Sequence, residues 1–458
     1  MSLPATNMEW EETLSKKIES RELSVAVIGL GYVGLPTAIG FLESGFNVWG
    51  ADISERTLRM IRGGENPTGD PDVDDIIPDI SNPKWNITSS TNEAVNNSDI
   101  ILVTVPTPVT SDLKPNLSFV RDSGISIFKS IKPNSRKIVV LESTVYPGVT
   151  EETWLPEIEK LGLKIGKDVE IAYCPERFNP GDSNHGVRQV ARVIGCSNPL
   201  VGNILVELYS KLTSNDVRYV GKIAVAEAAK VIENVQRDIN IGLVNELARI
   251  FPSLQIDVED VLNAASTKWN FHRYTPGVGV GGHCIPVDPY YMIQRASEVG
   301  VPAELISAAR AVNHTMPIHV SNLINEILYK QGVPANKGRV LFLGWSYKPQ
   351  VGDPRETPAS PLADSLIKRG ISIASWDPHL EAGDFPSNID VLSDIESAEN
   401  FDMVILITAH QECLEIDWTR LLQRMNTPLI YDGRRVLDLD KLESIGWRVF
   451  AVGRPLGD

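Results

Sequence analysis

The chain has few cysteines and no long apolar segment. Its four cysteines are far apart and form no Cys-x-x-Cys pair, so metal ligation and a disulfide framework are poorly supported. A reducing cytoplasm is therefore the expected compartment. No apolar run approaches the ~20 residues that a membrane helix needs. The first twenty residues also lack the apolar region of a signal peptide, and their composition predicts a short helical extension.

Basic residues are outnumbered by acidic ones. Lysine and arginine total 43 against 59 aspartates and glutamates, which gives a formal net charge of −16. This surplus repels the phosphates of nucleic acids and of anionic lipids, so neither nucleic acid nor a membrane surface is expected as a partner. An anionic small molecule remains compatible with the charge if cationic side chains are gathered at its site.

The spacing of apolar runs predicts an α/β protein with two doubly wound, Rossmann-like domains joined by a helical one. Short β-branched runs alternate with helical stretches from Leu23 to Tyr173, and a second such series starts near Arg339. Between them, Ala224–Phe251 has helical composition and predicts one long helix, either a spine between domains or a dimer surface. We therefore divide the chain into an extension (1–20), a first α/β domain (21–220), a central helical domain (221–332) and a second α/β domain (333–458).

A glycine-rich turn follows the first predicted strand. Gly29, Gly31 and Gly34 form the pattern G-x-G-x-x-G, with Tyr32 and Val33 between the second and third glycines. The first glycine allows a tight turn, the second lets a pyrophosphate approach the backbone, and the third lets the helix pack on the strand. Alone, the motif is equally compatible with a packing turn. Its position between strand and helix favours dinucleotide binding.

An acidic residue ends the next predicted strand. Asp52 can accept hydrogen bonds from the adenosine ribose and repels a 2′-phosphate, which favours NAD over NADP. A role as a helix N-cap is compatible with the same position. The nearby Arg56 weakens the preference for NAD.

Two further loops follow apolar strands and belong to the same sheet edge by position. They are Val105–Pro108, which contains Pro106 and Thr107, and Glu142–Thr144. In open α/β sheets, ligands bind at the carboxyl ends of the strands. Each loop taken singly is equally typical of an ordinary turn.

The stretch Val278–Asp288 is the most informative in the chain. Three glycines precede His283 and Cys284, and they would let the backbone and the thiol approach a ligand closely. In isolation a cysteine is more often a small buried hydrophobe, and His283 could serve only as a hydrogen-bonding loop residue. Asp288 could position a water molecule or a base.

Three polar side chains share one face of the long predicted helix. Lys230, Asn234 and Arg237 are spaced at i, i+4 and i+7. A solvated face is the usual explanation of such spacing. The apolar residues around them instead suggest a largely buried helix, in which a lysine tends to have a function.

Together these stretches resemble the UDP-glucose/GDP-mannose dehydrogenase family. The matching segments lie in the family's order along nearly the whole chain after the first twenty residues. They are GLGYVGLP (Gly29–Pro36), VPTP (Val105–Pro108), ESTVYPG (Glu142–Gly148), CPERFNPGD (Cys174–Asp182), Lys230 with Asn234, GVGVGGHCIPVDP (Gly277–Pro289), GWSYKPQVGDPRE (Gly344–Glu356) and YDGRRVLD (Tyr431–Asp438).

The resemblance implies an oxidoreductase that binds NAD in the first α/β domain and the nucleotide of a UDP-sugar in the last, with the long helix building a homodimer or higher oligomer. It implies that Cys284 is the nucleophile of a two-step oxidation of the C6 alcohol to a carboxylate. Lys230 and Asn234 would stabilise oxyanions at C6, and Asp288 with Thr144 would hold a water molecule. Glu176 would be the base for thioester hydrolysis.

The resemblance also implies binding residues. In addition to Lys230, Asn234 and Glu176, a further group of side chains would contact the substrate, and the cationic ones would bind its negatively charged diphosphate. They are Arg177, Phe178, Arg237, Lys348 and Arg434. Arg355 would reach the cofactor, together with the glycine loop, Asp52, Arg56, Pro106, Thr107 and Thr144.

Two departures point to one branch of the family. UDP-glucose enzymes usually have a second glutamate where this chain has Pro180, and a lysine where it has Val287. Both differences, and the run Thr267–Phe271, resemble the branch that acts on UDP-N-acetylhexosamines (GlcNAc, ManNAc or GalNAc). The alternatives are a UDP-glucose 6-dehydrogenase and a catalytically inactive nucleotide-sugar binder.

Overall fold

The computed structural model describes residues 5–68, 71–74, 76–110, 114–178, 185–282 and 284–457. The chain divides into two compact units. Unit 1 is Met1–Glu233 with Tyr290–Gly300, and unit 2 is Asn234–Pro289 with Val301–Asp458. Two helices run from one unit into the other: α9 (Ile223–Ile250), which confirms the predicted long helix, and α11 (Asp288–Glu298). Within the described residues, no helix is both long and apolar enough to cross a membrane.

Unit 1 contains an eight-stranded sheet. Its strands are β1 (Ser24–Ile28), β2 (Asn47–Ala51), β3 (Trp85–Thr88), β4 (Ile100–Val103), β5 (Lys137–Leu141), β6 (Val169–Tyr173), β7 (Arg192–Cys196) and β8 (Val217–Gly221). Its helices are α1 (Ala5–Ser20), which is the predicted extension, α2 (Gly34–Glu43), α3 (Glu55–Arg62), α4 (Pro71–Asp74), α5 (Thr91–Asn96), α6 (Ser118–Ser130), α7 (Val149–Lys160) and α8 (Pro199–Leu212).

The strand order of this sheet is β3-β2-β1-β4-β5-β6-β7-β8. Neighbouring residues of β1 show why both faces are covered: Val25 and Val27 pack into one apolar core with α1, α2 and α8, while Ala26 and Ile28 pack into another with α5, α6 and α7. The strand order reverses between β1 and β4. The loops that follow these two strands therefore flank the position where doubly wound folds bind ligands.

One pair of strands departs from the predicted parallel arrangement. Strands β1 to β6 are parallel, but β7 runs antiparallel to β6, and β8 is parallel to β7. The apolar runs of the sequence did not predict β3, β7 or β8. Strands β3 and β8 have mixed or partial burial at the sheet edges, and β7 opens with an arginine, so none presents a long apolar run.

Unit 2 contains a six-stranded parallel sheet of order β11-β10-β9-β12-β13-β14. The strands are β9 (Arg339–Leu343), β10 (Ser372–Trp376), β11 (Asp390–Val391), β12 (Met403–Leu406), β13 (Leu429–Asp432) and β14 (Arg448–Ala451). Its helices are α10 (Val258–Ala265), α12 (Glu304–Lys330), α13 (Ala359–Ile367), α14 (Gln411–Leu414), α15 (Trp418–Leu422) and α16 (Leu439–Ser444). Here the order reverses between β9 and β12. The predicted class, two Rossmann-like sheets with helices between them, is confirmed.

Candidate active site

The glycine loop after β1 has the geometry of a dinucleotide site. Gly29 has φ +97°, a conformation that side chains disfavour, and a Cβ atom on Gly34 would lie 1.8 Å from the carbonyl oxygen of Gly29. Gly34 therefore allows α2 to start directly against β1. A Cβ atom on Gly31, in contrast, would meet no described heavy atom within 4 Å, so this side of the loop is open.

The start of α2 fits a phosphate group. Its N-cap residue, Val33, makes no side-chain cap hydrogen bond within the described part of the chain. Leu35 already donates its N–H to the carbonyl oxygen of Gly31 at 3.1 Å and Pro36 has no N–H, so at most the N–H groups of Val33 and Gly34 are left for a ligand or water. Tyr32 beside it is half-buried. The open face at Gly31 and these N–H groups fit the pyrophosphate of a dinucleotide.

Asp52 supports the loop from the end of β2. Its Oδ2 accepts the N–H of Leu30 at 2.7 Å and its Oδ1 accepts the N–H of Ser54 at 2.8 Å. The carboxylate thus holds the glycine loop and the entry to α3 together, while Ser54 is the N-cap of α3. Arg56, in the first turn of α3, is exposed.

The two predicted strand-end loops are tied to each other. Ser143, after β5, donates its hydroxyl to the carbonyl oxygen of Val105, after β4, at 2.6 Å. The hydroxyl of Tyr291 donates to the carbonyl oxygen of Thr107. Pro106 is exposed and Thr144 is half-buried. Both loops therefore lie at the carboxyl edge of the sheet, as expected from the positions of their strands.

Glu176 lies just beyond β6 and is held by three donors. Its Oε1 accepts the N–H groups of Arg177 (2.6 Å) and Phe178 (2.7 Å), and its Oε2 accepts Nη2 of Arg192 at 2.5 Å. Arg177 pairs with Glu233, with 2.6 Å between Nη2 and Oε1. Residues 179–182 of the PERFNPGD motif, including Pro180, lie outside the described residues. No local motif in the sequence predicted a role for Arg192.

The predicted polar face of α9 is partly buried. Lys230 and Asn234 are both buried, whereas Arg237, one turn further on, is exposed. The face is therefore not simply solvated at its first two positions. Arg237 is exposed to solvent, so its side chain can reach an anionic ligand.

Asn234 and Asp288 are brought together in unit 2. Nδ2 of Asn234 donates to Oδ2 of Asp288 at 2.6 Å, and Asp288 is 2% exposed. The backbone N–H of Asp288 donates to the carbonyl oxygen of Cys284 at 2.9 Å, which closes a turn at the start of α11. An amide, a carboxylate and a cysteine predicted to act together thus share one local structure.

The glycines of the cysteine loop pack against protein within unit 2. A Cβ atom on Gly281 would lie 2.8 Å from the carbonyl oxygen of Glu356, and one on Gly282, which has φ +98°, would lie 3.0 Å from the ring of Tyr347. We expected these glycines to admit a ligand. The structure gives them a second role, since they let the loop lie directly on the segment that follows β9. His283 lies outside the described residues.

A buried polar network fixes the start of this loop. Asn245 on α9 accepts the N–H of Gly277 at 3.0 Å and donates to Asn313 on α12 at 2.8 Å. Asn313 in turn donates to Asp238, which also pairs with Arg310. None of these four side chains was singled out in the sequence, because each acts through partners far along the chain.

Cationic side chains lie at the loops of the second sheet. Arg434, after β13, has its Nη1 3.2 Å from the position that a Cβ atom on Gly277 would occupy. Burial lowers the pKa of Arg434 from its ordinary value, and Asp432 opposes that shift. Lys348, after β9, is half-buried, and Arg355 is exposed and forks onto Asp353 at 2.9 and 2.7 Å.

Among the described residues, one group has the composition of a metal site. His379, His410 and Glu412 have potential ligand atoms within 4.8 Å of one another. Both ring nitrogens of His410 are already engaged, however, Nε2 with Asp377 at 3.0 Å and Nδ1 with the N–H of Gln350 at 3.1 Å. The group therefore fits an internal hydrogen-bond network better than a metal centre.

Comparison with known proteins identifies the same three parts. For the UDP-glucose/GDP-mannose dehydrogenase family, the NAD-binding domain matches residues 23–213, the central domain residues 224–315 and the UDP-binding domain residues 341–439. UDP-N-acetyl-D-glucosamine 6-dehydrogenase of Pseudomonas aeruginosa is 36% identical over 424 residues, covering 92% of this chain and 99% of that protein. Protein CapL of Staphylococcus aureus is 37% identical over 425 residues, covering 92% and 97%.

A solved structure agrees over the full length. UDP-D-ManNAc dehydrogenase from Pyrococcus horikoshii superposes with a TM-score of 0.85 at 28% identity, covering 95% of this chain and 100% of that one. The glycine loop and the Cys284 loop lie within the matched segments, and the chain belongs to the UDP-glucose/GDP-mannose dehydrogenase family.

Proposed function

We propose that the protein oxidises the C6 hydroxyl of a UDP-N-acetylhexosamine to the uronic acid, with NAD as the hydride acceptor. The observation that carries the proposal is the local structure of unit 2, where the exposed Cys284 begins a turn that ends at Asp288, itself hydrogen-bonded to Asn234 at 2.6 Å. A nucleophile, a carboxylate and an amide donor are the groups that the reaction needs at one carbon atom.

The chemistry consists of two oxidations and a hydrolysis. The alcohol first loses a proton and a hydride and becomes an aldehyde. The sulfur of Cys284 then adds to the aldehyde carbon, and the resulting thiohemiacetal loses a second hydride to become a thioester. Water attacks the thioester carbonyl, the C–S bond breaks, and the sulfur leaves with the bonding electrons. Bound NAD would accept one hydride in each oxidation, so one sugar and one water yield two NADH.

Each role has support in the residues. Asn234 has a second amide hydrogen beside the one given to Asp288, and Lys230 shares its helix face, so both suit an oxyanion at C6. Asp288, with Thr144, would hold the water that takes the alcohol proton. Glu176 would take the proton of the hydrolytic water.

Binding roles follow the two sheets. The glycine loop with Asp52 would hold NAD, and we propose that Thr107, Pro106 and Thr144 line the nicotinamide side. A second set of side chains would hold the UDP-sugar: Arg177, Phe178, Arg237, Lys348 and Arg434. Arg355 is proposed to reach the cofactor. The carboxylate of Asp52 favours NAD over NADP because it repels a 2′-phosphate.

The acetamido sugar is supported by the relatives. The Pseudomonas relative is named for UDP-N-acetylglucosamine and the Pyrococcus structure for the manno epimer. A pocket built for an acetamide leaves its polar partners unpaired when the sugar carries a hydroxyl instead. A UDP-glucose 6-dehydrogenase is the second candidate, and an inactive nucleotide-sugar binder is the third.

The assembly and domain boundaries are part of the proposal. We place the domains at 21–220, 221–332 and 333–458 after the extension 1–20, and the enzyme in the cytoplasm. A homodimer is supported by α9, where the apolar residues Val225, Ile232, Leu243 and Ile250 are exposed. They are spaced at intervals of 7, 11 and 7, close to whole helical turns, so they form one stripe.

A panel of UDP-sugars tests the function. Initial rates of NADH formation would be measured with UDP-N-acetylglucosamine, its manno and galacto epimers, and UDP-glucose, well below KM. We expect one acetamido sugar to exceed UDP-glucose in kcat/KM by at least about tenfold, or ~1.4 kcal/mol, with two NADH per sugar at completion. Equal or better turnover of UDP-glucose would contradict the acetamido assignment, and no turnover of any sugar would favour the inactive binder.

A further inference from the structure

A charged cluster lies buried behind Glu176 in unit 1. Arg192 and Glu142 are each 1% exposed and Tyr209 is fully buried, while Glu176 is 7% exposed. Nη2 of Arg192 donates to Oε2 of Glu176 at 2.5 Å, and its Nη1 is 4.0 Å from Oε2 of Glu142. The hydroxyl of Tyr209 donates to Oε1 of Glu142, and its ring lies 5.3 Å from the guanidinium carbon. One arginine thus lies between two carboxylates.

The sheet topology creates this cluster. Because β7 runs antiparallel to β6, its first residue lies at the end where β6 finishes. The observed pairs are Ala172 with Cys196 and Tyr173 with Gly195, and the same register continued would set Glu176 opposite Arg192. Glu142 directly follows β5, the other neighbour of β6. Because β7 is antiparallel to β6, it places a cation, Arg192, at the carboxyl ends of β5 and β6.

We propose that Arg192 is a positioning residue that holds the carboxylate of Glu176 for thioester hydrolysis, and that Glu142 and Tyr209 hold Arg192. This inference rests on the proposed function, in which Glu176 takes the proton of the hydrolytic water. In that step the water oxygen forms a bond to the acyl carbon while an O–H bond of the water breaks and its proton goes to a carboxylate oxygen of Glu176. The C–S bond then breaks, and its electrons leave with the sulfur of Cys284.

The contacts leave Glu176 able to act. Three donors fix the carboxylate, two on Oε1 and one on Oε2, so Oε2 keeps a second lone pair for a water molecule. A carboxylate held in this way presents a defined direction to the water, and orientation is a large part of catalytic rate.

Glu142 is the counterpart that balances the arginine. Burial raises the pKa of Glu142 to about 7, while Arg192 lowers it. Burial opposes the charge of Arg192, but Glu176 and Glu142 together keep its pKa above the ordinary value. A buried charge cluster adds little net stability compared with packed apolar side chains. Within the cluster, Arg192 is directed at the carboxylate of Glu176, and this geometry favours a positioning function.

The test separates hydrolysis from hydride transfer. Arg192→Lys and Arg192→Met would be compared with wild type and with Arg218→Lys, a control on the neighbouring strand whose exposed side chain pairs with Asp216. Stopped-flow NADH formation reports the two oxidations, and intact-protein mass after acid quench reports the thioester on Cys284. Thermal melting and NAD binding check the fold.

We expect hydrolysis to slow by at least about tenfold in Arg192→Lys, and by more in Arg192→Met, while the first NADH burst stays within about twofold of wild type. The thioester should therefore accumulate in both variants and not in Arg218→Lys. Glu142→Gln keeps the side-chain shape, and in this variant the thioester should also accumulate, although to a smaller extent. This variant carries the test if neither Arg192 variant folds.

Two outcomes are decisive against the inference. If the variants slow the NADH burst and hydrolysis equally, or if no thioester accumulates in a folded Arg192→Lys or Glu142→Gln, the cluster is only structural. Wild-type protein that fails to make two NADH per sugar would instead refute the proposed function, so the two failures are distinguishable.

Discussion

At the scale of single residues, burial separates one cysteine from the other three. Cys174, Cys196 and Cys413 are buried, and burial raises the pKa of each thiol to about 12. At pH 8 about one in ten thousand of such thiols is ionised, and the thiolate is the reactive form. Cys284 is exposed on its loop. The nucleophile of the proposed reaction is therefore the cysteine that solvent can reach.

We expect iodoacetamide at pH 8 to modify Cys284 alone in the native protein and all four cysteines after unfolding. Peptide mass mapping would identify the sites. Cys284→Ala should lose both the native modification and acid formation while it retains NAD binding, and Cys413→Ala serves as the matched control. Rapid modification of a buried cysteine, or two NADH per sugar from Cys284→Ala, would contradict this assignment.

At the scale of elements, the turn between β1 and α2 combines packing and binding in neighbouring glycines. Gly34 faces protein, since a Cβ atom there would lie 1.8 Å from the carbonyl oxygen of Gly29. Gly31 faces a space that no described atom occupies within 4 Å. One motif thus contains a position that is packed in the fold and an open position that the proposed NAD site would use.

Alanine substitutions should separate these two requirements. Gly34→Ala should lower the free energy of unfolding by about 1–3 kcal/mol, because the helix must shift from the strand. Gly31→Ala should melt within about 2 °C of wild type, yet weaken NAD binding at least about tenfold, since its methyl group fills the approach of the pyrophosphate. Calorimetric titration with NAD and thermal melting measure both. Unchanged NAD affinity in a folded Gly31→Ala would place the cofactor elsewhere.

At the scale of the full chain, α9 carries an unpaired apolar stripe although the protein has a net charge of −16. Val225, Ile232, Leu243 and Ile250 are exposed along its length. An apolar stripe of this extent on a helix is typical of an interface, because water contacts it unfavourably. This is the physical support for the proposed homodimer.

Leu243→Asp should place a charge in the middle of that stripe and raise the dimer Kd by about thirtyfold or more, which corresponds to about 2 kcal/mol. Light scattering coupled to size exclusion over a dilution series would measure the shift toward monomer. Ile165→Asp, an exposed apolar position in unit 1, is the control and should leave the association unchanged. An unaltered dimer in Leu243→Asp would place the interface on another surface.

Local patterns accounted for most of the architecture. Among the described residues, ten of the fourteen strands lie within apolar runs recognised in the sequence, and α9 was predicted to within one residue at each end. The glycine loop and the loop of Cys284 were also recognised, because each encodes its geometry in a few adjacent residues. Short-range signals of this kind are readable since strand and helix periodicity depend on nearest neighbours along the chain.

Long-range contacts account for the remainder. Arg192 contacts Glu176 and approaches Glu142 only because β7 is antiparallel to β6, and the direction of a strand leaves no mark in its own residues. Asn245 similarly reaches Gly277 through the packing of α9. Polar and charged groups are stable in the interior only when they are paired, and the fold rather than the adjacent sequence determines the pairing partner.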